Sequence, residues 1–268
     1  MTKTISAAAN PAMANKMIKD ALDKPEQVEI RITSPSDNVV TLPGGYINAT
    51  GEVITEAEVR ELNGRDEEEI SKASSLGKVL LAILKRGTVR VGDEQVTEDL
   101  LDRLLSGDRD MLLLGIFKAT FGNIAHLGTY CNTCAEAKDV DVEIDKDIKI
   151  KILTDPINDR VFTVKGKSQE YTVQLPTGVT QRELMLSADK TIAELNSLLL
   201  EKTVIKIGET PVISKMQIQN LGMVDRRKIV DEINSRLCGP QFEPLSLTCP
   251  DCEGEVQVPI SLGALFRF

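Results

Sequence analysis

The feature that most constrains this chain is a succession of segments that occurs twice, each time ending in a Cys-x-x-Cys pair. Cys131-Asn132-Thr133-Cys134 begins 23 residues after Asp108, and Cys249-Pro250-Asp251-Cys252 begins 24 after Asp225. Asp108-Arg109 and Asp225-Arg226 each open a predicted helix, about 108–121 and 224–236. The second carries Ile229, Val230, Ile233 and Leu237 at helical spacing. Both pairs read as N-caps followed by an exposed or ion-paired Arg. Upstream, Thr88-Val89-Arg90-Val91-Gly92 matches Thr203-Val204-Ile205-Lys206-Ile207-Gly208 with one residue inserted, and an aliphatic helix (76–86, 191–202) precedes each. Residues 28–43 and 161–176 both read as strand, polar turn and strand ending in Leu-Pro, with Gly45 and Gly178 close behind. After each cysteine pair comes an alternating segment, Val140–Ile144 and Glu255–Ile260, the pattern of a half-buried strand.

Six features in one order predict an α+β fold made of an internally duplicated unit: β-hairpin, helices, CxxC knuckle, β-strand. The predicted boundaries are an extended N-terminal arm over 1–26, a first repeat over 27–153 (knuckle 131–134) and a second over 160–268 (knuckle 249–252). The arm is rich in Ala and Asn, with Pro11 and Pro25 and one short possible helix around Met17 to Leu22. The competing reading is two unrelated α+β domains alike only in composition.

Four of the five cysteines sit in the two pairs. A CxxC turn aims backbone N–H groups at two sulfurs, and Zn²⁺ prefers four such ligands in a tetrahedron. The gap from Cys134 to Cys249 exceeds that of a local zinc ribbon, so a shared site must be built by tertiary contact. The expected arrangement is two halves joined around a zinc-ribbon-like site, facing each other about a pseudo-two-fold axis. One structural Zn²⁺ per chain is ligated by Cys131, Cys134, Cys249 and Cys252. Filling all four positions with thiolate leaves no place for a reacting water. It also moves the formal charge from −9 to roughly −11. Redox disulfides within each CxxC, inter-chain zinc and no metal are the alternatives. Cys238, before Gly239-Pro240, reads as a small buried residue at a helix C-cap.

The remaining chemistry is sparse. No GxxxxGK[ST] loop and no GxGxxG after a strand is present. The only histidine, His126, is expected to be structural, although it stands near the first knuckle. The run Asp66-Glu67-Glu68-Glu69 precedes a predicted helix and suits the positive end of its dipole. No catalytic residue is assigned and no enzyme activity is expected. With 32 Lys+Arg against 41 Asp+Glu and no basic run, the chain repels phosphate backbones; Glu243, Asp251, Glu253 and Glu255 surround the second knuckle. A zinc-ribbon nucleic-acid-binding role is therefore the weakest of the functional classes. Apolar runs such as 79–84 and 111–117 are far too short to span a bilayer. The first residues, MTKTISAAANPAMANK, lack an apolar leader core, which predicts an unprocessed start and a reducing compartment.

Taken in order, Leu42-Pro43-x-Gly45, Asn63-Gly64-x-Asp66-Glu67-Glu68, an aliphatic helix, Gly107-Asp108-Arg109-Asp110, Phe121-Gly122 and CxxC resemble the baseplate hub proteins of T4-like bacteriophages. They resemble the related tail and baseplate assembly proteins too. The resemblance covers most of residues 28–145. Asp225-Arg226-Arg227, Leu247-Thr248-Cys249-Pro250-Asp251-Cys252 and Leu265-Phe266 fit a second copy of the pattern. Asn132 departs from it, since the pattern favours proline after the first cysteine. The resemblance implies a non-enzymatic virion protein of a contractile tail: a hub or wedge subunit of the baseplate, assembled in the host cytoplasm. Its partners would be other baseplate and tail proteins, with no nucleic acid, membrane or small-molecule substrate. The alternative is an assembly chaperone absent from the mature particle. The arm over 1–26 is expected to order on a neighbouring subunit.

Overall fold

Short β-rich segments ended by polar turns alternate here with helices, and the longest helix, Ser106–Phe121, packs over the first two strands. The computed structural model describes residues 38–187, 189–249 and 251–266, so the predicted arm lies outside the described residues. Strands β1 (Val39–Ile47) and β2 (Val53–Val59) form a hairpin whose turn is closed by Asn48. Its Oδ1 accepts from the backbone N–H of Thr50 and Glu52 at 3.0 and 2.9 Å, a turn chemistry typical of Asn. Helix α1 (Gly64–Ile70) opens on a capping box between Asn63 and Asp66. Helix α2 (Leu76–Gly87) opens on the Ser75 hydroxyl. Strands β3 (Thr88–Val91) and β4 (Glu94–Gln95) complete an antiparallel sheet of order β1-β2-β3-β4. Helices α3 (Glu98–Arg103) and α4 (Ser106–Phe121) follow, and α4 buries Leu112, Leu113, Leu114 and Ile116 in the core beside this sheet. Each such side chain contributes about 2 kcal/mol of burial.

A long hairpin of β5 (Ile124–Cys131) and β6 (Glu136–Glu143) leads through α5 (Ile144–Asp147) and β7 (Lys149–Lys151) to a second series. There β8 (Val161–Lys165), β9 (Glu170–Gln174), α6 (Gly178–Leu186), α7 (Ile192–Thr203), β10 (Val204–Ile207), β11 (Thr210–Pro211), α8 (Lys215–Gln219) and α9 (Met223–Arg236) run in the same order as the first eight elements. Their sheet has the order β8-β9-β10-β11 and its own core, including Val164, Tyr171, Val173, Ile229 and Ile233. Gly92 and Gly208, which turn β3 into β4 and β10 into β11, share a left-handed φ of +56°. Strand β12 (Gly239–Gln241) returns to pair with β7, and β13 (Leu245–Thr248) and β14 (Glu255–Val258) form a last hairpin before α10 (Leu262–Leu265).

The final segment does not stay with the second sheet. Val258, Ile260, Leu262, Leu265 and Phe266 are buried in the core of the first, where Phe266 meets Phe117 edge-on at 5.6 Å. The described residues accordingly form one compact unit.

Several sequence expectations need correcting. The two Leu-Pro dipeptides do not occupy matching places: Leu42-Pro43 lies inside β1, whereas Leu175-Pro176 follows β9. Pro43 is tolerated because pairing with β2 shifts register between Thr41 and Tyr46, where a missing N–H costs no ladder bond. The acidic run lies within α1 rather than before a helix, with Asp66 paired to Arg60 at 2.7 Å. The strand predicted over Val140–Ile144 begins already at Glu136, and Ile144 starts α5; β14 stops at Val258.

Candidate metal centre

Each CxxC pair sits at the tip of a hairpin. Cys131 ends β5 and Cys134 closes the turn into β6; Cys249 follows β13, and Cys252 precedes β14. In both turns the residue after the second cysteine takes a left-handed backbone, Ala135 at φ 56° and Glu253 at φ 58°. The two hairpins are held tip to tip. Thr129 Oγ1 donates to Gln257 O at 2.9 Å, and Lys138 Nζ is gripped by Glu136 of its own hairpin and Asp251 of the other. Asp251 is the main reason that the Lys138 ammonium is held charged well above its usual range. A Cβ on Gly254 would stand 2.4 Å from Thr133 Oγ1, so only glycine lets the turns approach this closely.

The result is a cluster of four sulfurs. The four Sγ atoms all lie within 4.8 Å of one another, and Cys131 to Cys252 is 3.5 Å and Cys134 to Cys249 is 4.0 Å. A tetrahedral Zn–S₄ centre with bonds of about 2.3 Å has sulfurs about 3.8 Å apart, so the set fits such an ion. All five cysteines are free, and two sulfur contacts cross between the hairpins. Cys131 and Cys249 are buried on Val256, while Cys134 and Cys252 are half-buried. The backbone N–H of Cys134, with that of Thr133, pulls the Cys131 thiol down to about 6; desolvation, then neighbouring thiols, push Cys134 up to about 12. Four crowded sulfurs without a cation cannot all ionise, and a divalent ion would resolve that conflict. The four residues could hold a metal.

The other candidates fall elsewhere. His126 lies on β5 with an exposed ring, Nδ1 2.6 Å from Asp141 Oδ1, and is not among the four. Cys238 is buried just after α9 against Leu105, Leu153 and Leu175, and burial pushes its thiol up to about 12. Neither Asp of the Asp-Arg pairs caps its helix. Asp108 and Asp225 are each the third residue of theirs, and they accept backbone N–H groups from distant hairpins instead: Gly44 N at 2.6 Å and Lys167 N at 2.8 Å. Arg109 donates to Leu101 O and Arg226 to Ile218 O, each eight residues back. Arg109 is buried rather than exposed, 3.4 Å from Asp102. Sequence reasoning did not find Lys138, Gly254 or the left-handed Ala135 and Glu253. The last two could have been found, since both stand immediately after the second cysteine.

Comparison with known protein families gives a match to the family described as T4 bacteriophage base plate protein, over residues 54–195. That is more than half of the chain. The protein belongs to this family. The matched stretch runs from β2 into α7, so it takes in the first Asp-Arg corner and the first cysteine hairpin of this baseplate-family protein. No curated protein and no solved structure matches the chain. Among the described residues, no helix is long and apolar enough to cross a membrane.

Proposed function

We propose that this protein is a structural subunit of a contractile phage tail, placed in the hub or wedges of the baseplate and acting through protein–protein contacts. The observation that carries the reading is the family match over residues 54–195. We further propose that the chain is an internal duplication, with repeats over 27–153 and 160–268. The identical element order, the matched glycine turns and the matched Asp-Arg hydrogen bonds support this. In this reading Cys131, Cys134, Cys249 and Cys252 hold one structural Zn²⁺, and each repeat supplies two ligands. A closed thiolate site supplies no catalysis; it fastens the tips of two hairpins that already pack along β5 and β14, and its role is to hold surfaces for neighbours. Residues 1–26 are the proposed partner-binding arm.

Quantitative mass spectrometry of purified particles tests the assignment. A fixed integer ratio to the tail tube protein is expected. Absence from particles, with tail assembly failing when the gene is removed, would replace the subunit by an assembly chaperone. Metal analysis of protein purified without chelator tests the zinc: one equivalent per chain is expected. Four titratable thiols in metal-free native protein would end that claim.

A further inference from the structure

We infer that copies of this chain associate head to tail, with α1 of one copy seated in the α7–α8–α9 groove of the next. The inference rests on the duplication proposed above. Within one chain, the corner between α3 and α4 is covered by the segment that leads into α6. Ser106 N donates to Pro176 O at 2.9 Å, Gly178 N donates to Leu104 O at 2.8 Å, and Leu105 bridges Thr177. Gln181 Nε2 then donates to Asp110 Oδ1 at 2.5 Å. Thr97, Leu104 and Asp110 correspond to Ser214, Leu221 and Arg227, so the matching corner of the second series lies between α8 and α9.

That second corner is bare. Met223 is 86% exposed, Val224 70%, Ile213 90% and Met216 69%, so large apolar side chains stand exposed at the starts of both α8 and α9. Isolated exposed apolar residues are ordinary, but a group of this kind marks a contact surface. No side chain caps α9. Beside it runs a groove of about 290 Å³ lined by Ala193, Asn196, Met223, Arg226, Arg227, Val230 and Asp231.

The occupant follows from the same correspondence. Asn63-Gly64 opens α1 as Thr177-Gly178 opens α6, so Glu67 stands where Gln181 does. The internal contact between Gln181 and Asp110 becomes, between copies, a contact between Glu67 and Arg227. Glu67 and Glu68 are exposed on α1, while Glu69 is paired to Lys72 at 2.6 Å; the groove presents Arg227, and Arg226 is held by Ile218 O and Ser197 Oγ. A Cβ on Gly64 meets nothing within 4 Å, so the start of α1 is open to a partner as Gly178 is not. The copy is not identical in detail. Ala193 replaces Gly77, whose Cβ would meet Met185 O at 2.2 Å, and the incoming helix must sit outward by about a methyl group. A contact between two different patches of one chain is heterologous, so it builds rings or filaments rather than two-fold dimers.

Sedimentation velocity of the full chain over a concentration series tests this. Concentration-dependent association is expected. Glu67→Arg, Arg227→Glu and Met223→Asp, all at surface positions, should each raise the association midpoint by about tenfold or more, with unchanged circular dichroism. The double variant Glu67→Arg/Arg227→Glu reverses both sides of every interface and should recover most of the wild-type midpoint. A wild-type chain that stays monomeric, or a double variant no better than the singles, overturns the inference. So does cross-linking from position 223 to a different tail protein only. The duplication fails on another readout, if a crystal structure does not superpose the Asp108 corner on the Asp225 corner.

Discussion

The two Asp-Arg corners carry the same residues in the same local geometry, yet their electrostatics run in opposite directions. Asp108 is fully buried, takes one hydrogen bond from Gly44 N, and leaves Oδ2 without a partner; burial pushes its carboxyl up to about 6. Asp225 accepts from Tyr171 Oη at 2.7 Å and from Lys167 N, and these donors, the Tyr171 hydroxyl first, hold it below the usual carboxylate range. Burial likewise brings Arg109 down to about 10 and leaves its Nε without a partner, whereas Arg226 finds Ser197 Oγ at 2.7 Å. The difference comes from what lies on top. The first corner is covered by the second half of the chain, and the second corner is open. A shared motif therefore fixes the backbone contact, while covering and donor count set the charge state.

The largest expected effect tests where the two halves should be equal. Cys131→Ser and Cys249→Ser each remove one sulfur from the cluster, and chelation removes any metal outright. Denaturant titration should show a loss of about 5 kcal/mol on chelation, and equal losses from the two substitutions. Unequal losses would mean that the knuckles do not share one ion.

Next come two glycines at matching helix starts. A Cβ on Gly178 would stand 2.2 Å from Leu101 O and 2.3 Å from Arg109 Nη1, whereas one on Gly64 meets nothing. Gly178→Ala should cost about 3 kcal/mol through forced displacement of backbone. Gly64→Ala should be neutral or stabilise by about 0.5 kcal/mol, through the unfolded chain. Thermal unfolding of both variants measures the contrast, and similar costs would mean that the first helix start is not open.

How far these contrasts could be read from sequence depends on distance along the chain. The cysteine quartet was legible because each CxxC is a local spacing, and the element order because Gly92 and Gly208 punctuate equal strands. The family resemblance, drawn over most of residues 28–145, agrees in family with the match over 54–195, which begins later and runs on into α7. The contact of Asp108 with Gly44, 64 residues away, has no local signature, and so the residue read as a cap. The Leu-Pro correspondence misled because a register break hides Pro43 inside a strand. The burial of Val258–Phe266 in the first core was invisible for another reason: an apolar alternation states that a strand is half-buried, not against which sheet.

The charge contrast makes a prediction of sign. Asp108 has its folded-state pKa above the unfolded value, so its contribution to stability is complete below pH 4 and is lost as pH rises toward and past 6. Asp108→Asn keeps an oxygen for Gly44 N and should gain about 2 kcal/mol at pH 7 and little at pH 4. Asp225 is shifted downward, so its contribution is present at pH 7 and is lost as pH falls below 4. Asp225→Asn should therefore weaken the protein at pH 7, with the difference narrowing in acid. Urea midpoints of both variants between pH 3 and pH 8 decide it. Parallel profiles would remove the distinction between covered and open corners.

The smallest effect lies in the knuckle turns. Ala135 and Glu253 hold a left-handed backbone that costs a non-glycine residue about 1–2 kcal/mol. Glycine there removes the strain but adds about 0.4–1 kcal/mol of unfolded-chain freedom, so Ala135→Gly and Glu253→Gly should each stabilise by about 0.5 kcal/mol. Equal gains, measured by urea unfolding with the metal content held constant, would mean that both turns meet the same geometric demand with different side chains. A gain for Ala135→Gly beside a loss for Glu253→Gly would assign the Glu253 side chain a contact of its own. The second knuckle would then differ from the first in what its surface meets, as the second Asp-Arg corner already does.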